Sequence, residues 1–259
     1  MLDVQNTPAK IPLRIDKVGV KNLRLPLTVQ DKNKGIQHTT AQVDISVDLP
    51  KEFKGTHMSR FLEVLSQWQG TLHYDSLKQL LWDLKGKLLA KDAHVLFTFP
   101  YFLSQKAPQS GQDFLLDFLA QVEGSLIDDR LTFTLGVEVP VFTVCPCSLA
   151  ISEKGAHSQR AVIKISAGIK EFLWLEDLIF IAQKAGSSPV YPLLKREDEK
   201  EVTEKAFDNP MFVEDVVRKV ARELDKLDKI LWYKVEVESF ESIHNHSAYA
   251  IIGPKNKEF

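Results

Sequence analysis

Cysteine is nearly absent. The 259 residues contain two, Cys145 and Cys147, separated by one proline. Two thiols cannot build a disulfide framework, and their spacing is not that of a Cys-x-x-Cys redox pair. No apolar run approaches the roughly 20 residues that cross a membrane. The first ten residues lack the apolar core of a secretory leader. A cytoplasmic protein with no membrane partner is therefore expected. Excess charge of either sign is also missing: 33 Lys and Arg against 35 Asp and Glu leave a formal net charge of -2. That balance gives no reason to expect a nucleic acid or an anionic membrane as partner, though a local basic patch remains able to hold a small anion. There is no P-loop, no G-x-G-x-x-G, no H-E-x-x-H and no G-x-S-x-G. What is present is ordinary for a soluble globular chain, 44% hydrophobic and 26% charged, and long enough for one large domain or two small ones.

The apolar pattern places the elements. After an extended arm reaching about Pro12, residues 18–29 are β-rich. Val43, Ile45, Val47 and Leu49 then alternate on one face of a strand. Phe61, Val64, Leu65 and Trp68 fall at i, i+3, i+4 and i+7, a helix stripe. Leu77, Leu80, Leu81, Leu84 and Leu88 form a second, with Asp75 or Ser76 as N-cap. Strands follow over 95–102 and 114–122. The second half repeats the order: a long alternating strand from Leu131 to Val141, a strand at Ile163 and Ile165, helix stripes from Leu175 to Ala182 and from Val213 to Leu227, then strands at Tyr233–Val237 and 248–252. Each half runs strand, strand, helix, helix, strand, strand. The expected fold class is α+β, with two tandem modules, 1–124 and 125–259. Each is a four-stranded antiparallel sheet with two helices on one face. A single α+β domain with an accidental repeat is the alternative. Two such small sheets leave strand edges unpaired, and a homo-oligomer that closes them into a barrel would cover those edges.

Chemistry concentrates in the second half. The first segment holds Cys145, Pro146 and Cys147, then Gly155 and His157. A thiolate is a soft ligand and an imidazole a borderline one, so the pair suits zinc or a related divalent ion. Cysteines flanking a proline in a loop make poor core material. The second segment holds Glu241, His244 and His246. Each segment joins two strands, so in an antiparallel module both loops can lie at the same end, where Cys145, His157 and His244 would converge. Taken alone, the second segment is equally a polar turn with solvated rings. The charged run at 195–201 reads most simply as a solvated loop or helix start, with Glu199 available as an oxygen ligand. Pro210 suits a helix N-terminus, and Glu214 and Asp215 in that first turn complement the helix dipole. An ionised carboxylate there also accepts the two parallel hydrogen bonds that guanine N1–H and its 2-amino group donate. In the first half, His57 and Arg60 open a helix whose N-terminus can hold phosphate, or is an ordinary exposed helix start.

Several stretches resemble the type IB GTP cyclohydrolase I family: Asp3–Gln5, Val18–Lys21, Gln37–Thr39, His57–Phe61, Cys145–Ser148, Gly155–His157, Gln159 with Arg160, Asn209 with Pro210, Phe212–Asp215 and, most specifically, Phe240–Tyr249. They span nearly the whole chain. The resemblance implies a tunnel fold and a homotetramer with active sites at subunit interfaces. It implies one divalent metal per site, Zn or Mn or Fe(II), on Cys145, His157, Glu199 and His244. It makes Glu214 the guanine anchor, with Cys147, Glu241 and His246 as further members of the catalytic motifs. His57, Arg60, Arg160, Lys195 and Arg196 are the basic candidates for the triphosphate. The segment 149–154 departs from the family pattern: a Lys-Glu pair is expected at Leu149 and Ala150, an aromatic at Lys154, and Asn at Ser158. These departures replace no proposed ligand.

The activity so implied is metal-dependent hydrolysis of GTP. The guanine imidazole ring opens at C8, formate leaves, and the ribose carbons close a new ring to give 7,8-dihydroneopterin triphosphate. That product leads toward folate and toward queuosine-type modified bases of tRNA. Three rivals differ in chemistry: a tunnel-fold nitrile reductase using a covalent cysteine, an archaeal-type cyclohydrolase giving a cyclic phosphate, and a purine- or pterin-binding protein without activity.

Overall fold

In a computed structural model of the chain, residues 4–5, 7–33 and 35–256 are described. Asp3, part of the Asp3–Gln5 stretch, lies outside them. The chain forms two compact units. The first is Met1–Pro100 with Gln121–Thr134, the second Tyr101–Ala120 with Leu135–Phe259. The exchange of 101–120 and 121–134 arises because long strands run through both units, so compactness does not divide the chain at 124/125 as sequence order does.

In the first unit, strands β1 (Ile15–Asp31) and β2 (Gly35–Leu49) pair antiparallel over most of their length. Their alternation drives this. Leu27, Val29, Val43, Ile45 and Val47 are buried on one face, and a one-residue slip would turn them all to solvent. β2 also pairs antiparallel with β4 (Ala93–Lys106), from Gln42↔Thr98 to Val47↔Ala93. With the two-residue β3 (Thr71–Leu72), β5 (Asp113–Ile127) and β6 (Arg130–Val144), the order is β3-β1-β2-β4-β5-β6. β3 pairs parallel with β1, a departure from the purely antiparallel expectation. Helices α1 (Met58–Gln67) and α2 (Tyr74–Leu88) bury most of the stripes read from spacing: Phe61, Val64 and Leu65, and Leu77, Leu80, Leu81 and Leu84, whereas Trp68 is the half-buried C-cap of α1 and Leu88 is half-buried. The N-cap of α2 is His73, not Asp75 or Ser76: its Nδ1 accepts from Ser76 N while Ser76 Oγ accepts from His73 N. Gly124 of β5 lets α2 approach, since a Cβ there would stand 3.1 Å from Leu81 Cδ1.

In the second unit β7 (Ser158–Ile169), β9 (Ile230–Ser239) and β10 (Ala248–Asn256) give the order β4-β5-β6-β7-β9-β10, with the short β8 (Ser188–Pro189) on β6. β7, β9 and β10 pair antiparallel, and Ser239 faces both Ala161 and Ala248. α4 (Leu175–Gln183) and α6 (Val213–Asp225) follow their predicted stripes, except that Leu227 lies beyond the end of α6. α6 buries Val216, Val217, Val220, Ala221 and Leu224, each Val or Leu contributing about 1.5–3 kcal/mol. Two further helices exceed the expected pair: α3 (Pro146–Ile151) and α5 (Arg196–Asp208). α3 buries no residue and α5 only Asp198 and Ala206, so neither carries an apolar stripe. The run at 195–201 is thus the start of a full helix. Among the described residues, no helix is long and apolar enough to cross a membrane.

Candidate functional site

The second unit gathers its thiol and imidazoles at one end of the sheet. β6 ends at Val144, and the next residue, Cys145, is the N-cap of α3 with Pro146 at the first helical position. Cys145 Sγ accepts from Ser148 N at 3.4 Å. The loop then returns to β7 through Gly155, whose φ of +121° is a conformation that side chains rarely adopt. Two bonds close it: Cys145 N donates to His157 O at 3.1 Å, and His157 N donates to Ser148 Oγ at 3.3 Å. Cys145 is half-buried and Cys147 exposed, and both are free thiols.

The other loop, 240–247, leaves β9 beside the start of β7, where Phe240 N donates to Arg160 O at 2.9 Å. It carries Glu241, His244 and His246. Antiparallel pairing of β7 with β9 brings the two loops to the same end, as the sequence order suggests. The rings of His157 and His244 stand edge to face at 6.3 Å, and His244 stacks on His246 at 5.1 Å. His157 Nδ1 lies 2.9 Å from Gln159 Oε1 and 3.8 Å from Glu241 Oε2. Gln159 Nε2 donates to Glu241 Oε1 at 3.3 Å, and Ser239 Oγ donates to the same oxygen at 3.0 Å. Gln159 and Ser239 are buried, Glu241 is half-buried, and His244 and His246 are exposed.

The remaining expected residues lie on other elements. Glu199 is exposed in the first turn of α5, and Lys195 and Arg196 precede it. Glu214 is exposed in the first turn of α6. Arg160 is exposed at the start of β7. His57, the N-cap of α1, and Arg60 belong to the first unit. Among the described residues, no group of three or more His, Cys, Asp or Glu side chains is arranged to hold a metal ion. A cavity of about 690 Å³ in the second unit is lined by Leu173, Phe180, Ile181, Lys219 and Leu227 among others, with neither thiol nor imidazole in its walls. The reactive groups are at the loop end, and the cavity is a feature of the helical layer.

Three supporting residues had no role in the sequence reading. Gln159 and Ser239 hold His157 and Glu241. Asp198, fully buried, accepts from Gln109 N, Ser110 N and Lys195 N, each at 2.9 Å, and from Ser110 Oγ at 2.6 Å. Burial pushes its carboxyl up. The bonds from Ser110, Lys195 and Gln109 outweigh that and hold it well below the usual carboxylate range. Asp198 thereby fixes where α5 begins, and with it the exposed Glu199. Asp198 takes the N3 position and accepts from the N-cap N–H of Lys195, but lysine has no acceptor to complete a capping box, so the sequence carried only half of that signal.

Comparison with known proteins agrees in fold and family. A family model described as type I GTP cyclohydrolase FolE2 matches residues 1–250. The chain is 58% identical over 252 residues to the GTP cyclohydrolase FolE2 of Maridesulfovibrio salexigens, covering 97% of this chain and 98% of that protein. It is 49% identical over 258 residues to the GTP cyclohydrolase FolE2 of Geotalea uraniireducens, covering 100% of this chain and 95% of that protein. Among solved structures, urate oxidase from Bacillus sp. TB-90 superposes with a TM-score of 0.53 at 10% identity, covering 92% of this chain and 99% of that one. That likeness is one of fold: the architecture is the α+β tunnel fold.

Proposed function

We propose, from the premise that the chain belongs to the type I GTP cyclohydrolase FolE2 family, that it converts GTP to 7,8-dihydroneopterin triphosphate at the loop end of the second unit. It is an enzyme of the GTP cyclohydrolase type. In the proposed reaction, water adds at C8 of the purine and the imidazole ring opens. A second water releases C8 as formate. The ribose carbons rearrange and the new ring closes with loss of one water, so one water is consumed net. The product stands at the start of folate synthesis.

The observation that carries this reading is the convergence of His157, Glu241, His244 and His246, with Cys145 on the closing bond of the same loop. In donor type, though not in arrangement within one chain, these residues suit a divalent metal. Cys145 offers a soft sulfur, and His157 has its Nδ1 engaged by Gln159, which leaves Nε2 to ligate. Cys145, His157, His244 and Glu199 would hold zinc, manganese or iron(II). When bound, such an ion supplies Lewis acidity that makes water a nucleophile near neutral pH. The chain's own groups do the rest. Glu214 accepts from guanine N1–H and the 2-amino group. His57, Arg60, Arg160, Lys195 and Arg196 hold the triphosphate. Cys147, His246 and Glu241 move protons to and from the purine and ribose atoms.

A homotetramer with interfacial sites fits the edge of the sheet. β10 is an edge strand that exposes Tyr249 and Ile251, surface that a second copy would cover.

The test is product identity. The protein is incubated with GTP, and the products are resolved by mass with formate measured separately. Formate together with dihydroneopterin triphosphate is expected. A cyclic phosphate product, or GTP binding without formate, would overturn the reading.

A further inference from the structure

Gln159 sits between two groups that constrain it from opposite sides. Its amide contacts the Glu241 carboxylate at 3.3 Å and the His157 ring at 2.9 Å. A carboxylate accepts hydrogen bonds and does not donate them. The amide NH2 must therefore face Glu241, which turns the amide oxygen toward His157. An oxygen there requires a donor, so the proton of the neutral ring belongs on Nδ1. Glu241 Oε2, 3.8 Å from the same nitrogen, favours that choice electrostatically. Glu241 is itself held by Ser239 Oγ at 3.0 Å, and Ser239 is fully buried. Thr143 Oγ1 donates to the backbone oxygen of Gln159 at 3.4 Å, which steadies the strand beneath.

We propose that Gln159 is a positioning residue, oriented by Glu241, that locks neutral His157 in the Nδ1–H tautomer and so presents the Nε2 lone pair to the ligand. This rests on the reading of His157 as a metal donor. The direction of the amide decides which ring nitrogen is basic, and an amide free to flip would divide the ring between two tautomers. Only the Nδ1–H form has a lone pair on Nε2.

The test is a tautomer measurement on the metal-free protein. Histidine is labelled with nitrogen-15, and the His157 signals are identified by their loss in His157→Gln. Spectra are taken at about pH 8.5, where imidazole is neutral. His157 is expected in the Nδ1–H form. Gln159→Leu should give a mixture or the Nε2–H form. Glu241→Gln keeps the shape but lets position 241 donate as well as accept, and it should also lower the Nδ1–H population. A role in packing alone would leave the tautomer of that isosteric variant unchanged. Zinc titrated in competition with a chromophoric chelator should bind each variant about 10- to 100-fold more weakly. Wild-type His157 in the Nε2–H form would overturn the proposal, as would an unchanged tautomer in Glu241→Gln. The tautomer is read without metal, so a failure of metal-dependent turnover would count against the proposed function and leave this result standing.

Discussion

Cys145 has two roles that can be separated. It caps α3, with Sγ accepting from Ser148 N at 3.4 Å, and it is the proposed sulfur donor to a metal. Cys145→Ala removes both. Loss of an N-cap costs typically about 1 kcal/mol, and about 2 at most. For a chain of this size, about 1 kcal/mol lowers Tm by roughly 2–4 °C. α3 buries no residue, so the loss should not spread beyond its loop. Cys145→Ser restores a capping oxygen, among the better N-caps, yet offers a poor soft-metal ligand. Thermal unfolding of the metal-free proteins should therefore place the serine variant at or above wild type and the alanine variant a few degrees below. Zinc affinity and formate release should be lost in both. A serine variant with wild-type zinc affinity and turnover would refute sulfur ligation and leave Cys145 as a cap alone.

Glu214→Ala should leave Tm within about 1 °C, because the side chain is exposed, and lower kcat/KM for GTP. Hydrogen bonds to a charged group contribute about 1.5–3 kcal/mol, equivalent to about 10- to 150-fold. An unchanged kcat/KM in steady-state assays would remove the anchor role. In the first unit, burial and then Lys17 hold the His94 imidazole below its ordinary value of 6.5, against the opposing pull of Asp92 and Asp48. The unfolded chain therefore takes up the proton first, so this contribution is complete above pH 6.5 and declines as the pH falls below it. His94→Gln, which can keep the bond to Ser125 Oγ, should show a smaller loss of denaturation midpoint between about pH 7.5 and 5.5 than wild type. Equal losses would refute it. A Cβ at Gly168 would stand 2.0 Å from Trp232 Nε1. Gly168→Ala should cost about 1–3 kcal/mol of stability, more than Gly124→Ala, whose nearest contacts are leucine side-chain atoms at 3.1–3.2 Å. Denaturant midpoints of the two variants decide this.

The sheet was legible because burial dictates period. Val43, Ile45 and Val47, or Tyr233, Val235 and Val237, alternate only if one face is covered, and all six are buried. The α6 stripe was legible for the same reason. α5 was not, because its exposed face is charged and it buries only the carboxylate Asp198 and one alanine, Ala206, rather than an apolar row. α3 is too short to show a period. The chemistry-bearing loops were legible from residue type, and their meeting followed from strand order. Gln159 was present in the motif, but its function depends on Glu241, more than 80 positions later, which residue type does not reveal. The long strands β4, β5 and β6 carry uninterrupted patterns, so nothing in their sequence marks where one compact unit yields to the other.

In the proposed reaction this chain opens the guanine ring of GTP with the help of a divalent metal held by its thiol and imidazoles. The most direct test is GTP turnover by metal-stripped protein, with zinc, manganese and iron(II) added back separately and formate and neopterin both followed. Formate and neopterin are expected together, in equal amounts, only after metal is restored. Equal turnover with and without metal, or tight GTP binding with neither product under any ion, would contradict it.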